Sequence, residues 1–201
     1  MKLFYAKGAC SLAVRIIINE IGLNSEFESV DLKAKRTESG HDFLEINSKG
    51  AVPTLQLDNG AILTENAVIL QYLADTNKAP SLLPAVDTLE RYRVLEWVNY
   101  ITTEVHKSFA GLFNPIVSDD IKGTLFIPMI KSKLNYINHE LQDRKYLIGD
   151  HFTLPDAYLF VMLRWADSCK ISLNEYPNLL SYQTELKVRS SIQKSLKEEG
   201  L

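Results

Sequence analysis

The chain has 201 residues, a formal net charge of −3 and an apolar share of 46%, enough length for one large domain or two small ones with real cores. The mixed charge excludes the basic footprint of a nucleic-acid binder and a polybasic membrane surface. Two cysteines as distant as Cys10 and Cys169 exclude a disulfide framework.

The N-terminus runs straight into Lys2-Leu3-Phe4-Tyr5, with no cationic segment leading an apolar one, so no signal peptide is expected. Residues 2–5 read as a strand, and a helical pattern over 11–22 ends at Gly22. A second strand over 27–32 completes a βαβ unit, whose strands are parallel and whose crossover is right-handed. A polar segment from Lys33 to Gly40 and a short helix over 41–46 follow. Then Val52-Pro53-Thr54-Leu55-Gln56-Leu57, the turn Asp58-Asn59-Gly60 and Ala61-Ile62-Leu63-Thr64 read as a hairpin, with a helix over 65–76 behind it.

The composition changes at residues 77–86, where two prolines mark a linker. Beyond it every pattern is helical. The longest runs over about 88–113, carried by Val98, Ile101, Val105, Phe109 and Leu112. Another spans 120–142. A third opens at Thr153-Leu154-Pro155-Asp156, where Thr153 caps and Asp156 reaches back, and it is apolar nearly all round, the signature of a buried central helix. That run is too short to cross a bilayer and is interrupted at Arg164 and Asp167. Weaker helical patterns fill 178–200. The expected layout is an α/β domain over residues 1–78 and an all-helical domain over 87–201, in a cytoplasmic protein.

Four local patterns carry chemistry. Cys10 stands in Lys7-Gly8-Ala9-Cys10-Ser11-Leu12, where the first strand gives way to a helix. A helix N-terminus favours a thiolate, and Lys7 adds positive character. An inert buried cysteine fits the same position. With alanine at 13 there is no Cys-x-x-Cys, so any redox cycle would be monothiol. Cys169, after an apolar run, reads as structural.

Val52-Pro53 at a strand start fits either a cis bond, which frees the preceding backbone groups for an extended peptide, or an ordinary strand-start proline. Thr64-Glu65-Asn66 ends the hairpin and starts a helix. Helix N–H groups suit a carboxylate and Glu65 suits an ammonium, together an α-amino acid end; a plain capping sequence reads the same way.

Along the long helix, at about 100° per residue, Asn99, Thr103 and His106 fall within about 60° of one another at the border of the buried face. Glu104 and Lys107 flank them and read as solvated. His106 stands out because imidazole bonds a thiolate and titrates near neutrality. No histidine has metal-ligand spacing, so no metal is expected.

These residues together resemble a cytosolic glutathione transferase of the bacterial beta class. The resemblance runs end to end, through Asp31-Leu32 and Lys35, Asn47-Ser48-Lys49-Gly50-Ala51-Val52-Pro53, Leu63-Thr64-Glu65-Asn66, Gln71-Tyr72-Leu73, Glu96-Trp97-Val98-Asn99, Glu104-Val105-His106-Lys107 and Gly149-Asp150-His151-Phe152-Thr153-Leu154-Pro155-Asp156-Ala157-Tyr158. It implies a thioredoxin-like domain followed by a helical bundle, a homodimer, a role in detoxification, and glutathione as co-substrate in a cleft between the domains. By position, Cys10 would lie beside the glutathione sulfur with His106 near it, and Cys10, Ser11 and His106 would serve catalysis. Val52, before Pro53, would pair with the cysteinyl unit, and Glu65 and Asn66 would hold the γ-glutamyl end. Lys35, Asn99, Thr103 and Glu104 would complete the binding site.

Lys7, Asn66 and Gly111 depart from the family's usual residues, which bears on thiol pKa, on affinity and on the electrophile pocket respectively. The implied reaction is attack of the glutathione thiolate on a small apolar electrophile. Its pocket is expected from residues 5–12 and 105–117, including Phe109, Phe113 and Pro115, all of which also read as core. Two other readings stay open: monothiol disulfide exchange through Cys10, and a ligand-binding protein with little turnover.

Overall fold

Strand β1 (Lys2–Tyr5) leads through helix α1 (Ser11–Ile21) to β2 (Glu26–Asp31), which pairs parallel with it. All residues, Met1–Leu201, are described by this computed structural model. They form two compact units, Met1–Pro80 with Val188–Leu201, and Ser81–Lys187.

In the first unit, β3 (Arg36–Thr37), helix α2 (Phe43–Ile46), β4 (Thr54–Gln56), β5 (Ile62–Thr64) and helix α3 (Asn66–Thr76) follow in turn. The sheet order is β3-β2-β1-β4-β5, a mixed sheet in which only β1 and β2 run parallel. Leu3 pairs with Leu55 across β1 and β4, and both are fully buried. Helix α1 buries every residue from Ser11 to Ile18 and stops at Gly22, whose φ of 77° is the left-handed cap. The Asp58-Asn59-Gly60 turn closes with Gly60 N–H on Leu57 O at 2.9 Å. Strand β3 lies within the segment read as polar connection. Two residues are too few to show an alternating pattern, and the Asp31 carboxylate, accepting from Lys33 and Ala34 N–H, turns the chain to make the pairing.

In the second unit, α4 (Leu89–Tyr100) runs through a π-helical segment, Ile101–His106, into α5 (Lys107–Phe113). Helix α6 (Asp119–Ile121) runs through a second π segment, Lys122–Phe126, into α7 (Ile127–Glu140). Helix α8 (Leu154–Ser168) is the buried helix, with every residue from Leu154 to Leu163 inaccessible, and α9 (Pro177–Lys187) ends the unit. The Thr153–Asp156 capping box is present. No helix is long and apolar enough to cross a membrane.

The chain's final helix, α10 (Ser190–Glu199), groups with the first unit, whereas the sequence reading places all of 87–201 in the helical domain. Ser191, Ile192, Ser195 and Glu199 make its buried stripe. Asn19 donates to Ser195 Oγ at 2.9 Å, and Arg189 pairs with Glu20, so α10 is sewn to α1 by polar contacts that hydropathy does not reveal.

Candidate active site

In the first unit the structure brings Cys10, Val52 and Asn66 together. Cys10 is the N-cap of α1, is 8% exposed, and its thiol donates to Val52 O at 3.3 Å. No side chain caps α1, so the thiol shares the positive end of that helix. The Val52–Pro53 bond is cis. Asn47 shapes the approach to it, its amide donating to Ala51 O and to Thr54 Oγ1. Lys35 donates its ammonium to Gly50 O at 2.7 Å. Gly50 has φ 58°, and a Cβ there would stand 3.0 Å from Leu44 and 3.1 Å from the Lys35 ammonium. Glycine takes that left-handed φ without strain, and a side chain there would press on the ends of Leu44 and Lys35.

Glu65 is exposed, holds φ 72° and leaves α3 without a side-chain cap, so the N–H groups of that helix's first turn have no capping oxygen. Its carboxylate takes the Lys49 ammonium at 2.6 Å.

Two expected site residues turn their side chains to the backbone. Ser11, expected to offer a hydrogen bond at the helix start, is fully buried, and its Oγ lies 3.3 Å from both the N and the O of Ala6. It fastens the turn before Cys10. Asn66, expected to donate to a glutamyl carboxylate, is 5% exposed, and its amide donates to Cys10 O at 2.8 Å. Its Oδ1 is buried without a partner. Alanine at 66 removes this tie, while Cys10 O keeps its bond from Ala13 N–H at 3.1 Å. Asn66→Ala is expected to cost about 1 kcal/mol, measured by urea unfolding, with faster alkylation of Cys10.

In the second unit, Asn99, Thr103 and Glu104 are exposed and His106 is half-buried. Thr103 Oγ1 donates back to Asn99 O, and Glu104 is paired with Lys133 at 2.6 Å. The common face read for Asn99, Thr103 and His106 assumes an α-helix, but Ile101–His106 is π-helical. A π turn holds an extra residue, so the 100° count does not carry across it. His106 instead turns to α8: its Nδ1 lies 2.6 Å from Tyr158 Oη, and its ring meets Trp165 edge-on at 4.9 Å.

Burial, with Lys107 adding to it, pushes the His106 imidazole down to about 4. The expected titration near neutrality is thereby corrected: the ring is neutral at physiological pH. Tyr158 and Trp165 both contact His106, and the sequence reading gave neither a role. Both sit in or beside an unbroken apolar run, where nothing separates a supporting phenol or indole from core.

Trp165 also meets Phe113 at 5.0 Å and Phe109 at 5.8 Å, both edge-on. Phe113 is exposed, but Phe109 has no exposure, so of its two readings, pocket or core, it takes the core. Gly111 has a different consequence. A Cβ there would come within 2.3–2.4 Å of the Phe126 ring, so glycine lets that ring lie on the α5 backbone. Gly111→Ala is expected to destabilise by about 1–2 kcal/mol, because overpacking outweighs the gain in helix propensity. Adding Phe126→Leu should recover most of the loss in the same unfolding measurement. No group of three or more His, Cys, Asp or Glu side chains is placed to hold a metal ion.

A small mixed sheet unit with a cysteine at its first helix, followed by a helical unit around one buried helix, defines a thioredoxin-like domain joined to an all-helical domain. Family models for the glutathione S-transferase N-terminal domain and C-terminal domain match residues 8–76 and 128–187. Glutathione S-transferase GstA of Escherichia coli O157:H7 is 44% identical over 201 residues, covering all of both chains. A sphingomonad glutathione S-transferase solved in complex with glutathione superposes with a TM-score of 0.95 at 42% identity, again over all of both chains. The beta-class glutathione S-transferase of Sphingomonas chungbukensis gives 0.96 at 42% identity and the same coverage. The chain belongs to the glutathione S-transferase family, within its bacterial beta class. It is a transferase, and these relatives favour neither monothiol exchange nor passive ligand binding.

Proposed function

We propose that glutathione is bound by Cys10, Lys35, Val52, Pro53, Glu65 and Asn66 of the first unit with Asn99, Thr103, Glu104 and His106 of the second. Val52 backbone groups pair with the cysteinyl unit. Glu65 takes the γ-glutamyl ammonium in exchange for Lys49, and the open first turn of α3, including the Asn66 N–H, takes the carboxylate. Lys35 offers a cation for the glycyl carboxylate. Asn66 otherwise serves through its hold on Cys10.

The reaction is attack of the glutathione thiolate on an electrophilic carbon of a small apolar substrate. The C–S bond forms, the leaving group departs with its electron pair, and the thiol proton passes to solvent. The single observation that carries the role of the second unit is the contact of His106 Nδ1 with Tyr158 Oη at 2.6 Å, on a ring that burial keeps neutral. With Nδ1 accepting from the phenol, the ring proton sits on Nε2, the tautomer that donates to a thiolate. Cys10 lies beside the same sulfur at the α1 terminus. Phe113 and Trp165 offer the apolar wall for the electrophile. The protein works as a cytoplasmic homodimer in detoxification.

The test is retention on immobilised glutathione, followed by a panel of aryl halides, epoxides and mixed disulfides with the unsubstituted protein, Cys10→Ser and Cys10→Ala. Retention with conjugation of at least one electrophile is expected. Turnover of mixed disulfides alone, abolished in both variants, would make the protein a monothiol reductase instead.

A further inference from the structure

We propose that Glu199, near the end of the chain, is a positioning residue for Cys10. The inference rests on the reading that Cys10 lies at the glutathione sulfur. The Glu199 side chain is fully buried, and its two oxygens do different things. Oε2 accepts from Gly8 N–H at 2.8 Å, two residues before Cys10, and Oε1 accepts from Arg15 Nε at 3.0 Å, one turn and a half further along α1. One carboxylate therefore joins the turn that precedes the thiol to the helix that follows it.

The charges make this a defined point rather than a loose contact. Arg15 is 2% exposed, and its guanidinium carbon lies 4.3 Å from the Tyr5 ring centroid and 3.8 Å from that of Phe27. A planar cation packed against two aromatic rings has little freedom, and it fixes the carboxylate that it pairs with. Glu198 adds a second contact to Arg15 at 3.3 Å.

The turn needs the restraint. Gly8 holds φ 69°, a conformation in which glycine is free to wander. Ser11 Oγ fastens Ala6 on one side, and Glu199 fastens Gly8 on the other. Leu201 closes over Gly8 at 3.8 Å from its Cβ position, and the Lys7 ammonium reaches Gly200, the left-handed cap of α10. Lys7, read from sequence as an electropositive neighbour of the thiol, is thus directed to the end of the last helix. The C-terminal helix is in this way part of the scaffold that aims Cys10 at Val52 O. Small displacements of such a group are costly to chemistry.

The test uses a Cys169→Ser background, so that Cys10 is the sole thiol. Glu199→Leu combined with Arg15→Met removes the clamp without stranding a buried charge. Alkylation of Cys10 by iodoacetamide is expected to accelerate about fivefold or more, and the glutathione KM to rise about tenfold with a smaller change in kcat. Glu198→Gln should change neither. A folded double variant with the parental alkylation rate would overturn the proposal. Hydrogen exchange at Gly8 in the unsubstituted protein needs no variant. Its amide should be protected about a thousandfold or more, and an unprotected amide would overturn the clamp as well. Neither readout contains glutathione. Altered alkylation beside an unchanged KM would therefore refute the glutathione placement and leave the clamp standing.

Discussion

Asp156→Ala is expected to lower the unfolding free energy by about 3–5 kcal/mol, more than any other single substitution considered. The carboxylate is fully buried and satisfies four donors. Oδ1 accepts from Leu147 N–H at 3.0 Å and Tyr182 Oη at 2.7 Å, and Oδ2 accepts from Thr153 N–H at 2.7 Å and Thr153 Oγ1 at 2.8 Å. Alanine would leave two backbone N–H groups and two hydroxyls without their acceptor in a dry site, each costing about 1–3 kcal/mol less whatever relaxation recovers. It would also uncap α8, the helix on which Tyr158 and Trp165 ride. Asp156→Asn keeps the shape and one carbonyl acceptor, so about half the loss is expected. Urea unfolding of the two variants decides. A loss below about 1 kcal/mol for alanine would show that water replaces the carboxylate.

His106→Phe is expected to lower kcat/KM for conjugation by about ten- to a hundredfold, the effect of losing one hydrogen bond to a developing or resident anion. Tyr158→Phe should produce a smaller fall, because the imidazole stays but its tautomer is no longer imposed. The pH dependence follows from the burial of the ring. Its folded value, about 4, lies below the ordinary 6.5. The stability it contributes is present above the unfolded value near 6.5 and is lost as pH falls toward 4, by about 3 kcal/mol at most. Acid unfolding of His106→Phe should lack this component. The conjugation profile should show no imidazole step between pH 5.5 and 8. A step near 6.5 that vanishes in the variant would contradict the neutral ring.

The parts of the fold legible in the sequence are those with strong periodicity or turn chemistry. Helix α1 stops where Gly22 says it should, the β4–β5 hairpin turns at Asp-Asn-Gly, and α8 begins at its Thr-x-x-Asp box. Arg36–Thr37 escaped because β-pairing of two residues leaves no alternation to read. The π turn at Ile101–His106 escaped because Val98, Ile101 and Val105 satisfy a 3.6-residue period well enough to hide one extra residue per turn. That slip matters, since it decides which side chains share a face with His106.

At the site, residue types told more than their partners did. Cys10, Glu65 and His106 are conspicuous in sequence, but Ser11 and Asn66 look the same whether they face a ligand or the backbone. In the structure Ser11 closes on Ala6 and Asn66 on Cys10 O. Glu199 lies 191 residues from Gly8, and no local pattern announces such a contact.

The direct measurement is a crystal structure of the protein soaked with reduced glutathione. The expected result puts the glutathione sulfur within about 4 Å of both Cys10 Sγ and a His106 ring nitrogen. A tripeptide bound with its sulfur beside Cys10 but beyond reach of any imidazole, or bound elsewhere altogether, would contradict it.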